Sequence, residues 1–192
     1  MPNWCWNHLT VTGDEKALQE FVEKSLIKDE HSLVKSRLEH DNFSFEGTLP
    51  RGDRKDWYDW SIGNWGTKWD ACYPHIEKDD EECFAVTFDS AWSPPIEWLE
   101  NIVHMFPKLY FTLEYEEPGM CFAGILEIQH NKIHDNRCWD IESASECCHG
   151  EIDWEHPKYD YYCTICECET EAVSVRKDQI KRNLNYDYNY EK

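Results

Sequence analysis

Residues 93–115 read SPPIEWLENIVHMFPKLYFTLEY, and a change of periodicity inside this stretch decides the fold. Ser93 is a candidate helix cap, and Pro94 and Pro95 fall in the first turn, where a missing N–H costs nothing. Ile96, Leu99, Ile102, Val103 and Phe106 recur at helical spacing until Pro107 stops the pattern. From Tyr110 to Tyr115 the period falls to two, with Phe111, Leu113 and Tyr115 on one face of a strand. The spacing predicts a helix over 95–106 feeding a strand over 110–116. The N-terminal segment repeats this pairing in the opposite order. His8–Thr12 alternates, Gly13-Asp14 ends the strand, and Asp14 caps a helix whose stripe is Leu18, Phe21, Val22 and Leu26.

The middle of the chain supplies the remaining elements. Phe43 and Phe45 flank Ser44 in a short alternating piece that leads into a turn at Thr48–Asp53. The aromatic stretch Trp57–Asp70 is expected to be strand-rich. Acidic Asp79–Glu82 reads as a turn before a strand over 83–89, on which Phe84, Val86 and Phe88 share a face. The order is β-α-β-β-α-β, an α+β ferredoxin-like sandwich with both helices on one sheet face, and Phe122–Ile128 adds an extra strand. This domain is expected to span 1–130. From Asn131 the apolar periodicity fades while Cys, Asp, Glu and Tyr accumulate, so 131–192 reads as a small Cys-rich extension. It ends in a flexible Tyr/Asn-rich tail, NLNYDYNYEK.

The 192 residues suffice for one well-buried domain with an appendage. Ten Trp, ten Tyr and eight Phe are far more rings than usual, and they serve either this chain's own core or an interface. The 39 acids outnumber the 19 bases, for a formal charge of −20, and the excess is spread along the whole chain. Such a surface repels phosphates, so direct nucleic-acid binding is disfavoured, and it steers the protein towards a basic partner. Met1–Thr12 has neither a basic leader nor an apolar run, and no stretch is long and apolar enough to span a bilayer. A cytoplasmic location is therefore expected. In a reducing compartment, thiols that cluster, as five of the ten cysteines do over 147–168, point to metal before disulfides.

Four tryptophan- or aromatic-bearing motifs lie far apart: PNWCWNHLTVTG at 2–13, NWGTKWD at 64–70, AWSPP at 91–95 and YEEPGMCFAG at 115–124. In this order and spacing they resemble the YubB-like family of small ferredoxin-like proteins of bacteriophages and plasmids. The resemblance covers about two thirds of the chain and implies a fold and a genomic setting, without an activity. It suggests a mobile-element protein acting on its bacterial host.

Candidate sites follow from the motifs. Cys163-x2-Cys166 has a spacing that lets two thiolates reach one zinc ion, and Cys147, Cys148 and His149 lie a short loop upstream to complete a tetrahedral site. Cys138, Cys168 and His156 are reserve ligands; free buried thiols and a redox CxxC are the competing readings. In NWGTKWD, Gly66 permits an unusual backbone conformation. Lys68 lies between Trp65 and Trp69, where a cation–π contact would make a partner-binding surface. The competing reading puts both rings in the core and pairs Lys68 with Asp70. Asp79, Asp80, Glu81 and Glu82 form an exposed acidic turn suited to a basic docking partner. Asp70, Cys72 and His75 carry groups used in catalysis, but no nucleophile elbow or oxyanion pattern accompanies them. Glu116-Glu117-Pro118-Gly119 reads as a turn. The sequence points to a non-enzymatic binding protein that inhibits a host macromolecule such as an antiviral complex or nuclease. The alternative is a nucleic-acid-associated ferredoxin-like module using exposed aromatics.

Overall fold

The period-two segment at the N-terminus becomes the central strand. The computed structural model describes the backbone of residues 3–28, 41–146, 152–153, 162–163, 168–169 and 171–176. In β1 (Trp4–Gly13) the odd positions Cys5, Asn7, Leu9 and Val11 are buried, and Trp4, Trp6, His8, Thr10 and Thr12 turn to the other face. The strand pairs antiparallel on both sides. Leu9 faces Val86 of β5 (Cys83–Ala91) and Leu113 of β6 (Leu109–Glu117), so three apolar rows fall into register. Outside β5, β4 (Cys72–Asp79) joins antiparallel with two register shifts. On the other side β7 (Phe122–Gln129) follows β6, and β8 (Lys132–Glu146) follows β7.

The chain divides into two compact units, Met1–Glu117 with Gly124–Arg137, and Pro118–Ala123 with Cys138–Lys192. In the second, the later part of β8 pairs antiparallel with β12 (Glu171–Arg176) and, at its end, with β9 (Ile152–Asp153). There β10 (Tyr162–Cys163) and β11 (Cys168–Glu169) also pair.

Both expected helices are present in the first unit. In α1 (Glu15–Ser25) the Asp14 carboxylate accepts from the Ala17 N–H at 3.2 Å, and Leu18, Phe21 and Val22 are buried. Phe21 meets Phe84, Phe106 and Phe111 edge-on at 5.3–6.0 Å between centroids. The second long stripe forms α4 (Ile96–Ile102), continued by a 3-10 turn at Val103–Met105. Its Trp98 is fully buried against Phe43 and Phe45, and Phe43 in turn packs on Phe84 and Phe88. Both helices therefore cover the sheet face that carries Phe84, Phe88 and Phe111. Trp98 donates its indole N–H to Thr48 Oγ1 at 2.9 Å, which satisfies its polar atom inside the core.

The insertion between α1 and β4 departs from expectation. Leu26–Lys28 (β2) and Asp41–Phe43 (β3) pair as a two-stranded ribbon, and Ser44 caps a single turn, α2 (Phe45–Thr48). Trp57–Trp65, expected to be strand-rich, forms the helix α3. The aromatic propensity for strands is overridden because Ser61 and Trp65 stand four apart and both face inward. Ser61 Oγ donates to Trp57 O at 2.7 Å, and Gly66 ends the helix in the left-handed conformation at φ 76°. Two further differences are local. Asp79 belongs to β4, so the acidic turn is shorter than Asp79–Glu82, and the polar stretch after Asn131 holds the fifteen-residue β8. The tail 183–192 lies outside the described residues.

Candidate functional site

Three of the four motifs converge at one end of the sheet. The Asn3 carbonyl accepts from the Trp92 N–H at 2.9 Å, and Thr67 exchanges two hydrogen bonds with the Ala91 backbone, each 3.0 Å. Ser93 Oγ donates to the Gly66 carbonyl at 2.5 Å. Beneath them Asn7, fully buried, donates through Nδ2 to the Cys5 carbonyl and to Ser90 Oγ, both at 2.8 Å, and Ser90 Oγ in turn donates to the Ser93 carbonyl at 2.7 Å. Each buried polar group in this lattice has a partner, which is why short polar residues sit beside the tryptophans in the motifs. The fourth motif is fixed differently. A Cβ added at Gly124 would strike the Tyr115 ring and the Arg137 carbonyl, so only glycine fits there.

The lattice presents rings outward. Lys68 Nζ lies 4.8 Å from the Trp69 ring, 5.1 Å from Trp92 and 5.9 Å from Tyr58, so of the two rings expected beside it only Trp69 makes a cation–π contact, joined by Trp92 and Tyr58 in place of Trp65. The alternative pairing of Lys68 with Asp70 is not what forms. The Asp70 carboxylate accepts instead from Ser44 Oγ at 2.5 Å, Phe45 N–H at 2.6 Å and Ala71 N–H at 2.7 Å, and burial pushes its pKa up. Trp65 is a correction to the candidate surface. It is fully buried, donates to Leu49 O at 3.1 Å and carries Arg51 on its ring, so it belongs to the core. Trp69 is partly exposed and meets Trp4 at 6.0 Å, and Trp4 meets Tyr73 at 5.8 Å.

Two residues that sequence reasoning did not single out stand in this corner. Tyr73, 77% exposed, and Trp92, 41% exposed, both hold positive φ, at 52° and 72°. Bulky residues rarely adopt that conformation, and strain of this kind clusters where a surface has a task. Only the AWSPP motif hinted at Trp92; nothing in the sequence marks the φ of Tyr73.

The outward face of β1, β5 and β6 continues from that corner. Its positions are Trp4, Trp6, His8, Thr10 and Thr12; Cys83, Ala85, Thr87, Asp89 and Ala91; and Tyr110, Thr112, Glu114 and Glu116, with no Lys or Arg among them. His8 lies 3.3 Å from both Glu77 and Glu114, with Nε2 out of hydrogen-bond alignment towards Glu77. Trp6, 45% exposed, stands opposite Asp89, whose pKa is pushed up by burial. On the covered face Cys5 is pushed up to about 12 by burial, so it is a thiol at neutral pH.

The acidic turn is exposed at Asp79, Asp80, Glu81 and Glu82. Asp80 organises it, accepting from the Glu82 and Cys83 N–H groups at 3.0 and 2.9 Å and pairing with Lys78 at 3.1 Å. Asp79, Asp80 and Glu81 line a cleft of about 530 Å³ shared with Glu15, Gln19 and Glu23 of α1. Cys72 donates to the Asp70 carbonyl at 3.3 Å, while His75 is exposed. Of the zinc candidates, Cys147, Cys148 and Cys166 lie outside the described residues, and Cys163 stands opposite Cys168 in the β10–β11 pair. Among the described residues no group of three His, Cys, Asp or Glu is placed to hold a metal ion. No helix among them is long and apolar enough to cross a membrane.

The chain is similar to the crystal structure of protein api92 from Yersinia pseudotuberculosis, at 10% identity and a TM-score of 0.49, covering 71% of this chain and 98% of that one. No curated protein matches. The family described as the ferredoxin-like domain in Api92-like protein matches residues 64–160, which hold β4, β5, α4, β6, β7 and β8. With more than half of its length matched, the chain belongs to that family of ferredoxin-like domains.

Proposed function

We propose that this is an acidic binding protein of a bacteriophage or plasmid, of the YubB-like kind, that inhibits a host macromolecule in the bacterial cytoplasm without turnover. An antiviral defence complex of the CRISPR type or a nuclease is the class of target. The carrying observation is the outward sheet face, where exposed rings lie among carboxylates and no Lys or Arg stands on β1, β5 or β6. That combination suits a basic protein surface, since rings and carboxylates both attract cations. A reading in which the rings stack bases is favoured by the exposure of Trp6, Tyr73 and Trp92, and opposed by the same carboxylates.

Two finer readings go with the proposal. The six-element ferredoxin-like core is β1-α1-β4-β5-α4-β6, with β2, β3, α2 and α3 as an insertion, in keeping with the strand order β6-β1-β5-β4. The C-terminal segment takes a structural zinc on thiolates of Cys147, Cys148, Cys163 and Cys166, on the strength of the Cys163-x2-Cys166 spacing.

The test is plating efficiency of a phage on host strains carrying single defence systems, with and without this protein, followed by titration of the affected complex in vitro. Rescue of plating and inhibition that saturates at a fixed stoichiometry are expected. Unchanged plating across the strains, or inhibition by trace amounts, would remove the reading.

A further inference from the structure

Asp89 is partly buried on the open sheet face, and its carboxylate makes no hydrogen bond or ion pair with the described residues. Its ladder neighbours are Trp6 on β1 and Cys72 on β4, neither of which offers a cation. Directly opposed residues of an antiparallel pair have their side chains on one face, about 5 Å apart at Cβ. The exposed Trp6 ring and the Asp89 carboxylate therefore stand side by side, and a half-desolvated carboxylate is costly until a cation joins it.

The same molecule shows what completes such a pair. Arg54 places its guanidinium 5.0 Å from the Trp60 ring while Nε meets Asp56 Oδ1 at 2.8 Å and Nη2 meets Oδ2 at 3.4 Å. Ring, carboxylate and guanidinium are all present there; at Trp6 and Asp89 the first two wait for the third. We propose that the Trp6–Asp89 pair is the seat for an arginine side chain carried by an exposed basic segment of the partner protein. This rests on the reading of the chain as a binder of a basic protein. A planar guanidinium stacks on an indole and forks onto a carboxylate at once, which an ammonium does not do. The remaining rings of the corner, Trp4 and Tyr73, extend the apolar floor under the segment. The overall charge of −20 speeds the approach of any cation, and the seat is what selects arginine.

The full chain is titrated with a short peptide of alternating arginine and glycine, its lysine counterpart, and a single-stranded oligonucleotide, followed by tryptophan fluorescence. The arginine peptide should bind several-fold tighter than the lysine peptide. Asp89→Asn should weaken it about ten-fold, as loss of a charged hydrogen-bond partner does, and Trp6→Leu about five-fold. Asp89→Glu, which keeps the charge, should retain most of the affinity. Glu100→Gln removes one exposed charge from α4 on the covered side of the sheet and should change binding by about two-fold at most. Equal losses in Asp89→Asn and Glu100→Gln, or equal affinity for the two peptides, overturn the seat. Tighter binding of the oligonucleotide overturns the seat together with the protein-partner reading. If Asp89→Asn still inhibits the host target fully, the seat fails and the inhibitor reading stands. If the peptide selectivity holds while plating never changes, the inhibitor reading fails and the seat stands. Thermal melting of each variant separates lost binding from lost folding.

Discussion

Gly66 shows how much of this surface depends on single atoms. Its φ of 76° disfavours any Cβ, and a Cβ there would run into the Glu97 carboxylate and approach the Pro94 carbonyl at 3.3 Å. Gly66→Ala should cost about 2 kcal/mol, read as a lower urea midpoint with an unchanged m-value. Asp70 makes a pH prediction. Its pKa is raised, with burial outweighing three hydrogen bonds, so between the ordinary value of 3.8 and its folded value the native state binds more protons than the unfolded chain. Stability contributed by this group is thus fully present at acid pH and declines as pH rises through that interval. Urea melts of wild type and Asp70→Asn from acid to neutral pH should show the variant lacking that decline; parallel curves would contradict it. The unusual backbone of Gly66 was readable from the sequence; the role of Asp70 was not, because Asp70 beside Lys68 looks like an ion pair until Ser44 is brought to it across 26 positions.

Elements were legible where one period governed them. Helix α1 kept the stripe of Leu18, Phe21 and Val22 because a single face meets the sheet, and Asp14 capped it as its type demands. Phe21→Ala would open a hole among Phe84, Phe106 and Phe111 and should cost about 3–5 kcal/mol in chemical denaturation. Helix α3 was misread because its rings serve two purposes. Trp65 is core while Trp57 and Tyr58 are exposed, so no clean apolar stripe appears and aromatic content suggested a strand. The β4–β5 turn divides by role. Asp80→Lys removes the acceptor for two backbone N–H groups and should lower the melting temperature measurably, whereas Glu81→Lys and Glu82→Lys should leave it unchanged. All three substitutions should slow association with a basic partner, an effect that fades as salt shortens the screening length below about 8 Å.

For the whole molecule, two units imply two separable responses. If zinc organises the C-terminal segment, purified protein should carry about one zinc per chain. Chelation should then expose its amides to exchange while protection of β1, β5 and β6 persists, because these strands bury Leu9, Val86 and Leu113 without help from a metal. Absence of zinc on elemental analysis, or simultaneous loss of protection in both units, would refute this. The sequence alone determined strands at 83–89 and 110–116, each extended slightly in the structure, the two long helices and the acidity, since these follow from local periodicity and from charges that must stay solvated. Tertiary structure alone decided which rings are buried and which are offered. Trp65 and Trp69 are four residues apart in one motif, yet one is sealed under Arg51 and the other opens beside Lys68. It also decided that Asp89 meets Trp6 across 83 positions of chain, because burial and pairing are properties of the assembled sheet that no local window contains.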